Sequence, residues 1–278
     1  MKQPLTIIFL LLFNLAAFGQ EPKLKKRSRD AVSGSKFAKS ISDTSLSLAA
    51  REDLMFGEVK KGNISSFQRK YSTVTIKKVI DGISYQLRIY VAPDYLAIGK
   101  DEDYFYIPTT PMLAQRIADI TKTMLPTKLM VDEIYKQAAI KLEPQPIPPT
   151  KAMTTVPVFI VHNTIVLQQL KDFQEKHLSS HLTAGNKKDI IISNKIYGQP
   201  TPRVVIYGWH KLDGKAIQPV YNKHTNTWAD YSHGVRLVSE TGILNGKKIK
   251  LSDLLKHPTL HQLLSDEGVI LNPKYPID

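Results

Sequence analysis

The chain has 278 residues, no cysteine and a formal net charge of +13. The lack of cysteine excludes thiol nucleophiles, cysteine-ligated zinc and iron–sulfur clusters. The length suffices for a stable core without disulfides, and the basic charge favours anionic surroundings.

Residues 1–19 have the pattern of a secretory signal peptide. Lys2 precedes an apolar run over 6–18, shorter than the about 20 residues that a membrane-spanning helix needs. Ala17 and Gly19 suit the small-residue positions of a signal-peptidase site. We expect export of the bacterial type, with cleavage near Gly19 and a periplasmic or secreted product. An uncleaved N-terminal anchor is the alternative interpretation.

A basic segment follows the predicted cleavage site, with five Lys or Arg side chains within residues 23–29. Residues 20–50 show no regular apolar period, so they predict a basic disordered tether ahead of one globular domain over 51–278. Peripheral contact of 23–29 with acidic lipid, or with an anionic envelope polymer, is one interpretation. A solvated leader without a partner is the other. The predicted export argues against nucleic acid as a partner.

Two pairs of strands carry hairpin signals. Residues rich in β-formers over 73–80 and 83–92 are joined by Asp81-Gly82, and the predicted strand 235–244 is followed by Asn245-Gly246. Asp-Gly and Asn-Gly favour two-residue hairpin turns because these residues tolerate positive φ angles. The sequence therefore predicts antiparallel hairpins early and late in the chain.

About three helices are predicted between these hairpins. Thr110-Pro111 marks a helix start, and apolar residues then recur at helical spacing in two successive stretches that end near Ala138. A third helix is predicted over 164–182. The proline-rich segment 143–150 cannot be helical, so it is either a domain boundary or an extended connection within one domain. Strands grouped on either side of a helical middle predict an α+β fold.

Six of the eight histidines lie between residues 161 and 234, and imidazole both titrates near neutrality and binds metals. His177 and His181 are four residues apart in the predicted third helix. They are therefore expected on one buried face, where they could hold a zinc ion. Leu178 stands where zinc proteases of the HExxH kind have a glutamate. Two core histidines with local hydrogen bonds are the alternative interpretation.

The strongest candidate for a catalytic site lies between residues 207 and 234. Asp230 can orient His233 as a general base, with His210 or His224 assisting. Aromatic faces beside hydrogen-bonding groups are typical of sugar-binding clefts. The predicted substrate-binding residues of this stretch are Trp209, Gln218, Trp228 and Tyr231.

Two shorter segments add candidate substrate-binding residues. Lys188 and Asp189 lie at the end of a turn that also contains Lys187. The two lysines could bind a phosphate or carboxylate, or they could be solvated near a helix end. His162 and Asn163 follow the apolar run 156–161, which is interpreted as a strand; sites often form where strands end.

These features together favour a hydrolase that acts on a cell-envelope or extracellular polymer, such as a glycan or peptidoglycan. In this hypothesis the His-rich polar stretch forms a cleft and performs general acid/base chemistry, assisted by a metal if zinc is bound. The alternative is a non-catalytic envelope or glycan-binding protein that uses the same Trp and His face. A structural envelope protein without a cleft is a third interpretation.

Overall fold

A computed structural model describes residues 22–277. The predicted signal peptide, residues 1–19, lies outside the described residues. Among the helices of the described part, none is both long enough and apolar enough to cross a membrane. The fold is α+β, as predicted, with helices beside antiparallel sheets and hairpins.

Seven α-helices and fourteen strands, several of them only two residues long, occur within residues 22–277. The helices are α1 (Gly34–Ser40), α2 (Leu48–Lys61), α3 (Pro111–Thr121), α4 (Lys128–Gln137), α5 (Val156–Leu170), α6 (Gln174–Leu178) and α7 (Leu251–Lys256). The strands are β1 (Ser72–Ile80), β2 (Ile83–Val91), β3 (Ala97–Lys100), β4 (Asp103–Tyr106), β5 (Thr123–Met124), β6 (Ile140–Lys141), β7 (Thr183–Ala184), β8 (Lys188–Ile190), β9 (Ile206–His210), β10 (Ala216–Tyr221), β11 (His233–Gly234), β12 (Val238–Ser239), β13 (Thr241–Leu244) and β14 (Lys247–Lys250).

Two sheets organise the fold. The larger has six strands in the order β14-β13-β2-β12-β5, with β1 also paired to β2. The smaller has four strands in the order β10-β9-β8-β11. Its last two strands, β8 and β11, run parallel and place Lys188 opposite His233. This pairing joins two stretches that are far apart in the sequence.

Both predicted hairpin turns are confirmed, but the predicted strand 235–244 is present only as the short strands β12 and β13. Strands β1 and β2 pair antiparallel up to Ile80 opposite Ile83. The turn residues Asp81-Gly82 have φ angles of 49° and 78°, as a type I′ turn requires. Asn245-Gly246 joins β13 to β14 in the same way, with φ angles of 46° and 84°.

The first two predicted helices are also confirmed. The Thr110 hydroxyl accepts a hydrogen bond from the Leu113 amide at the start of α3, and Thr127 caps α4 through the Met130 amide. Each cap satisfies a backbone donor that the first turn of a helix leaves free. The proline-rich segment 143–150 contains neither helix nor strand, as expected from its composition.

Two predictions in the next stretch are wrong. The apolar run 156–161 is the first half of helix α5, not a strand. A short apolar run has no periodicity that separates the two states, and Pro157 in the first turn suits a helix start. The helix predicted over 164–182 is also interrupted, because α5 ends at Leu170 and α6 at Leu178, with a short 3-10 turn between them.

The N-terminal segment differs from the expected disordered tether. Residues 34–50 contain helix α1 and the start of α2, and the side chains of Phe37, Ala38 and Ile41 are buried in the core. These apolar residues cover one side of a helix too short to produce a repeating pattern. The basic segment is also attached to the fold, since Arg27 Nε donates to Asn63 Oδ1 at 2.8 Å.

Replacing Gly34 by alanine should test this packing. A Cβ at Gly34 would lie 2.4 Å from the backbone carbonyl carbon of Tyr104, so we expect Gly34→Ala to lower the free energy of unfolding by about 1–3 kcal/mol. Gly57 of α2 is the matched control, because nothing lies within 4 Å of its added Cβ. Urea unfolding should show Gly57→Ala unchanged or slightly more stable. Equal stability of the two variants would contradict the docking of α1.

Candidate functional site

Polar side chains from five separate stretches meet at the end of the smaller sheet, where β8 and β11 are neighbours. They come from the segment ahead of α3, from α5, from the start of β8, from β9, and from the loop that leads into β11. Several of these side chains are fully buried, although each is polar. We call this group the polar cluster; its members are Thr109, His162, Lys187, Lys188, Trp209, Asp230 and His233.

Asp230 is the acidic member of the polar cluster. Its Oδ1 accepts hydrogen bonds from the backbone amide of Ser232, at 2.8 Å, and from the Ser232 hydroxyl. Its Oδ2 accepts from Trp228 Nε1 at 3.3 Å and lies 4.0 Å from His233 Nε2. Burial would raise the pKa of Asp230, but His233, Lys188 and the Ser232 hydrogen bonds outweigh burial and lower the pKa to about 2. The carboxylate is therefore charged at neutral pH.

His233 is held as a neutral ring by its surroundings. Its Nδ1 lies 3.4 Å from the backbone carbonyl oxygen of Thr109. Because a carbonyl only accepts, Nδ1 carries the hydrogen and Nε2 carries a lone pair. Burial lowers the pKa of His233, so the ring is neutral near pH 7. Within residues 22–277 its buried Nε2 has no hydrogen-bond partner. This is the protonation state that a general base needs.

Lys187 is a fully buried lysine. Its Nζ donates to the Tyr231 carbonyl at 2.7 Å and to His162 Nδ1 at 3.0 Å. Burial lowers the pKa of Lys187 to about 7, although the charges of Asp230 and Asp94 act in the opposite direction. Burial and the nearby ammonium group also lower the pKa of His162 to about 2, so this histidine stays neutral.

The open edge of the polar cluster contains Lys188. Its side chain is half-buried, and its Nζ lies 5.1 Å from the centre of the Trp209 ring. The Lys188 ammonium forms no hydrogen bond or salt bridge with another described residue, although the charge of Asp230 acts on it. Beside it, the half-buried rings of His224 and Trp228 stack with their centres 4.5 Å apart and their planes at 10°. This edge offers a cation and flat ring faces to a ligand.

The proline-rich segment 143–150 covers another side of the cluster. The Tyr231 hydroxyl accepts from the Ile147 amide at 2.7 Å and donates to the Ile147 carbonyl at 3.0 Å. The carbonyl of Gln145 faces the His162 ring. The segment therefore packs against the site.

Two predicted site residues lie in other environments. His210 Nε2 is 3.2 Å from Asp132 Oδ1, and its ring stacks on Tyr135 with centres 4.4 Å apart. Gln218 is on β10, where its side chain donates to the Pro219 carbonyl. Neither forms a hydrogen bond or ion pair with Asp230.

Asn163 has a structural role in this fold. Its Oδ1 accepts from the Tyr106 amide at 2.9 Å, and its Nδ2 donates to the Tyr104 carbonyl at 3.3 Å. The side chain thus links helix α5 to strand β4. Both polar atoms of the Asn163 side chain are hydrogen-bonded to backbone groups, whereas the neighbouring His162 is hydrogen-bonded to Lys187 in the polar cluster.

The prediction that His177 and His181 share a buried face is wrong. His177 is buried, with Nε2 2.8 Å from Asp94 Oδ2. His181 is exposed, and its Nδ1 donates to the Lys176 carbonyl at 2.8 Å. Helix α6 ends before His181, and Ser180 turns the chain with a φ angle of 64°. In the part of the chain that the structure describes, no three His, Asp or Glu side chains are grouped to hold a metal ion.

A second buried network surrounds Asp94. Besides His177, its carboxylate accepts from the Tyr106 hydroxyl and from Asn186 Nδ2, the latter at 3.3 Å. Burial would raise the pKa of Asp94, but the hydrogen bond and charge of His177 outweigh burial, and the pKa is lowered. Asp94 is therefore a paired buried anion.

Arg236 is the cation at the centre of this network. Its guanidinium donates to the carbonyls of Ala92 and Thr183 at 2.9 and 2.8 Å. Its Nε lies 3.9 Å from Asp189 Oδ1, and the Tyr95 hydroxyl donates to Asp189 Oδ2 at 2.6 Å. Burial raises the pKa of Asp189 to about 6, although Arg236 acts to lower it. The predicted site residue Asp189 thus belongs to the core network.

Comparison with known proteins does not suggest a function for this chain. No protein-family model, curated protein or solved structure matches this chain.

Proposed function

We propose that the protein is a hydrolase in which His233 acts as the general base. The observation that carries this proposal is the lone pair on the buried Nε2 of a neutral His233, 4.0 Å from the Asp230 carboxylate. Two acceptors at this spacing suit a single water that donates one hydrogen to each, at ordinary hydrogen-bond lengths. The Thr109 carbonyl keeps the free nitrogen directed at that position.

The chemical step is general-base hydrolysis. The water oxygen attacks the scissile carbon while one of its protons passes to His233 Nε2. The bond from that carbon to the leaving group then breaks, and the imidazolium returns the proton to the leaving atom. The charged Asp230 stabilises the imidazolium while it exists. Burial strengthens this charge interaction because the surroundings have a low dielectric constant.

A polymer outside the cytoplasm is the substrate that best suits the rest of the chain. Ring faces such as the His224 and Trp228 stack are typical of sugar-binding sites. The predicted signal peptide and the basic segment 23–29 support a glycan or peptidoglycan of the cell envelope or the medium. In this proposal the substrate reaches the cluster from the half-buried edge that contains Lys188.

Replacing His233 by alanine tests the proposal. We expect His233→Ala to reduce the release of soluble fragments from fractionated envelope polymers at least about 100-fold, since a general base contributes roughly 10²–10⁴-fold. The matched control is His181→Ala, because His181 is exposed and outside the cluster. Fragments can be separated and quantified by chromatography. Equal release by the wild type and His233→Ala would contradict the proposal.

A non-catalytic glycan-binding protein is the second candidate. The observation in its favour is that the His224 and Trp228 rings reach the surface, whereas Asp230 and His233 are buried. Binding to the same polymers, without fragment release by wild type or His233→Ala, would favour this function. Trp228→Ala should then weaken the binding, as measured by co-sedimentation.

A further inference from the structure

The polar cluster contains more positive charge than its own carboxylate balances. Two ammonium groups, of Lys187 and Lys188, lie near one carboxylate, of Asp230, and the pKa of each lysine is lowered by burial. The two histidines of the cluster are neutral. The Asp94 carboxylate is the next anion, but it is already paired with His177. An anion in this cluster would therefore be stabilised.

The cluster also contains buried donors without acceptors. Lys187 donates to His162 Nδ1, so the neutral ring of His162 carries its hydrogen on Nε2. That nitrogen and the Trp209 Nε1 are both buried, and neither forms a hydrogen bond of normal geometry within residues 22–277, although the Gln145 carbonyl lies beside the His162 ring. Each unsatisfied buried donor costs about 1–3 kcal/mol. Two such donors, on neighbouring rings, indicate a position for an acceptor from outside the chain.

The donors and the free cation are neighbours. The rings of His162 and Trp209 have their centres 6.2 Å apart, and the Lys188 ammonium lies 5.1 Å from the centre of the Trp209 ring. Lys188 is half-buried, so a ligand that arrives from solvent meets it first. An acceptor with a negative charge would satisfy both the donors and the cation.

We propose that this part of the polar cluster binds a carboxylate group, with Lys188 as its counter-ion and Trp209 and His162 as hydrogen-bond donors. One negative charge matches the single excess cation, whereas a phosphate monoester, with a second pKa of about 6, carries more than one charge near neutral pH and exceeds it. Flat rings beside the donors suit the carboxylate of a sugar acid, a unit that many envelope and extracellular glycans contain. The assignment of that carboxylate to a polymer substrate rests on the proposed function; binding of the carboxylate does not require turnover.

The test uses small probes on the full mature chain. Isothermal titration calorimetry at pH 6.5 should detect binding of glucuronate but not of neutral glucose. Lys188→Gln should weaken glucuronate binding at least about tenfold, because it removes the counter-ion. The matched control is Lys215→Gln, which removes an exposed lysine outside the cluster and should leave binding unchanged.

A second variant keeps the proposal testable if Lys188→Gln does not fold. Trp209→Phe keeps an aromatic ring but removes the Nε1 donor, and should also weaken glucuronate binding. Equal binding of glucose and glucuronate, tighter binding of glucose 6-phosphate, or an equal loss in Lys215→Gln would each overturn the carboxylate assignment. If His233→Ala keeps full turnover while Lys188→Gln loses glucuronate binding, the proposed hydrolysis fails and the carboxylate site stands. If His233→Ala loses turnover while Lys188→Gln keeps full glucuronate binding, the proposed hydrolysis stands and the carboxylate site fails.

Discussion

Raising the pH from 7 to 9.5 should stabilise the wild type against unfolding by about 3 kcal/mol more than it stabilises a Lys187→Met variant. Burial lowers the pKa of Lys187 to about 7, whereas a lysine in the unfolded chain has a pKa of 10.5. Between these values the unfolded chain holds a proton that the folded protein has released. Stability therefore increases with pH in this window, and it is lost as the pH falls toward 7.

Urea unfolding of both proteins at the two pH values measures this difference. Methionine has a similar length but no charge, so the variant lacks the Lys187 contribution to the pH dependence. Lys215→Met is the matched control, since it removes a solvent-exposed lysine. Its pH dependence should equal that of the wild type. Parallel pH profiles for the wild type and Lys187→Met would show that the buried ammonium has an ordinary pKa.

A direct titration covers the case in which Lys187→Met does not fold. Lysine side-chain amines can be followed by NMR in the wild type. One resonance is expected to titrate near pH 7, well below the pKa of about 10.4 of a lysine side chain in a model peptide. The absence of such a resonance, in a spectrum that resolves the buried lysine, would contradict the assignment. The same measurement with glucuronate should move the midpoint upward, because an anion favours the charged ammonium.

The features of the fold that could be predicted are those with local causes. The Asp81-Gly82 turn and the Thr110 cap depend on the conformation and hydrogen bonds of a few adjacent residues. The failures are the segments where local preference is ambiguous. The apolar run 156–161 suits a strand or a buried helix, and only its packing decides between them. His181 was misplaced because the helix ends before it is reached.

The candidate site could be predicted only in part. Polar residues among aromatic ones in the stretch 207–234 predict a site because such residues seldom pack as plain core. The pairing of Lys188 with His233 depends on two very short parallel strands, which leave no pattern in the sequence. Thr109 was missed because it acts through its backbone carbonyl, which every residue type has. Its position just ahead of a predicted helix cap was the available signal.

Arg236→Met should lower the free energy of unfolding by about 3–5 kcal/mol, the loss typical of breaking a buried ion pair. The substitution leaves the carbonyls of Ala92 and Thr183 without these donors, and it removes the cation beside Asp189. Arg116→Met is the matched control. Its partner Asp53 is on the surface, so that loss should stay within about 1 kcal/mol. Urea unfolding compares the two variants.

The pH dependence of this loss identifies the role of Asp189. Its pKa in the folded protein is about 6, raised by burial, so its carboxyl is charged at pH 8 and largely neutral at pH 5. The loss in Arg236→Met should therefore be larger at pH 8, where an uncompensated carboxylate must take up a proton to remain buried. Asp189→Asn in the Arg236→Met background should recover part of the loss at pH 8 and little at pH 5. A loss that is equal at both pH values would assign the role of Arg236 to its two carbonyl hydrogen bonds alone.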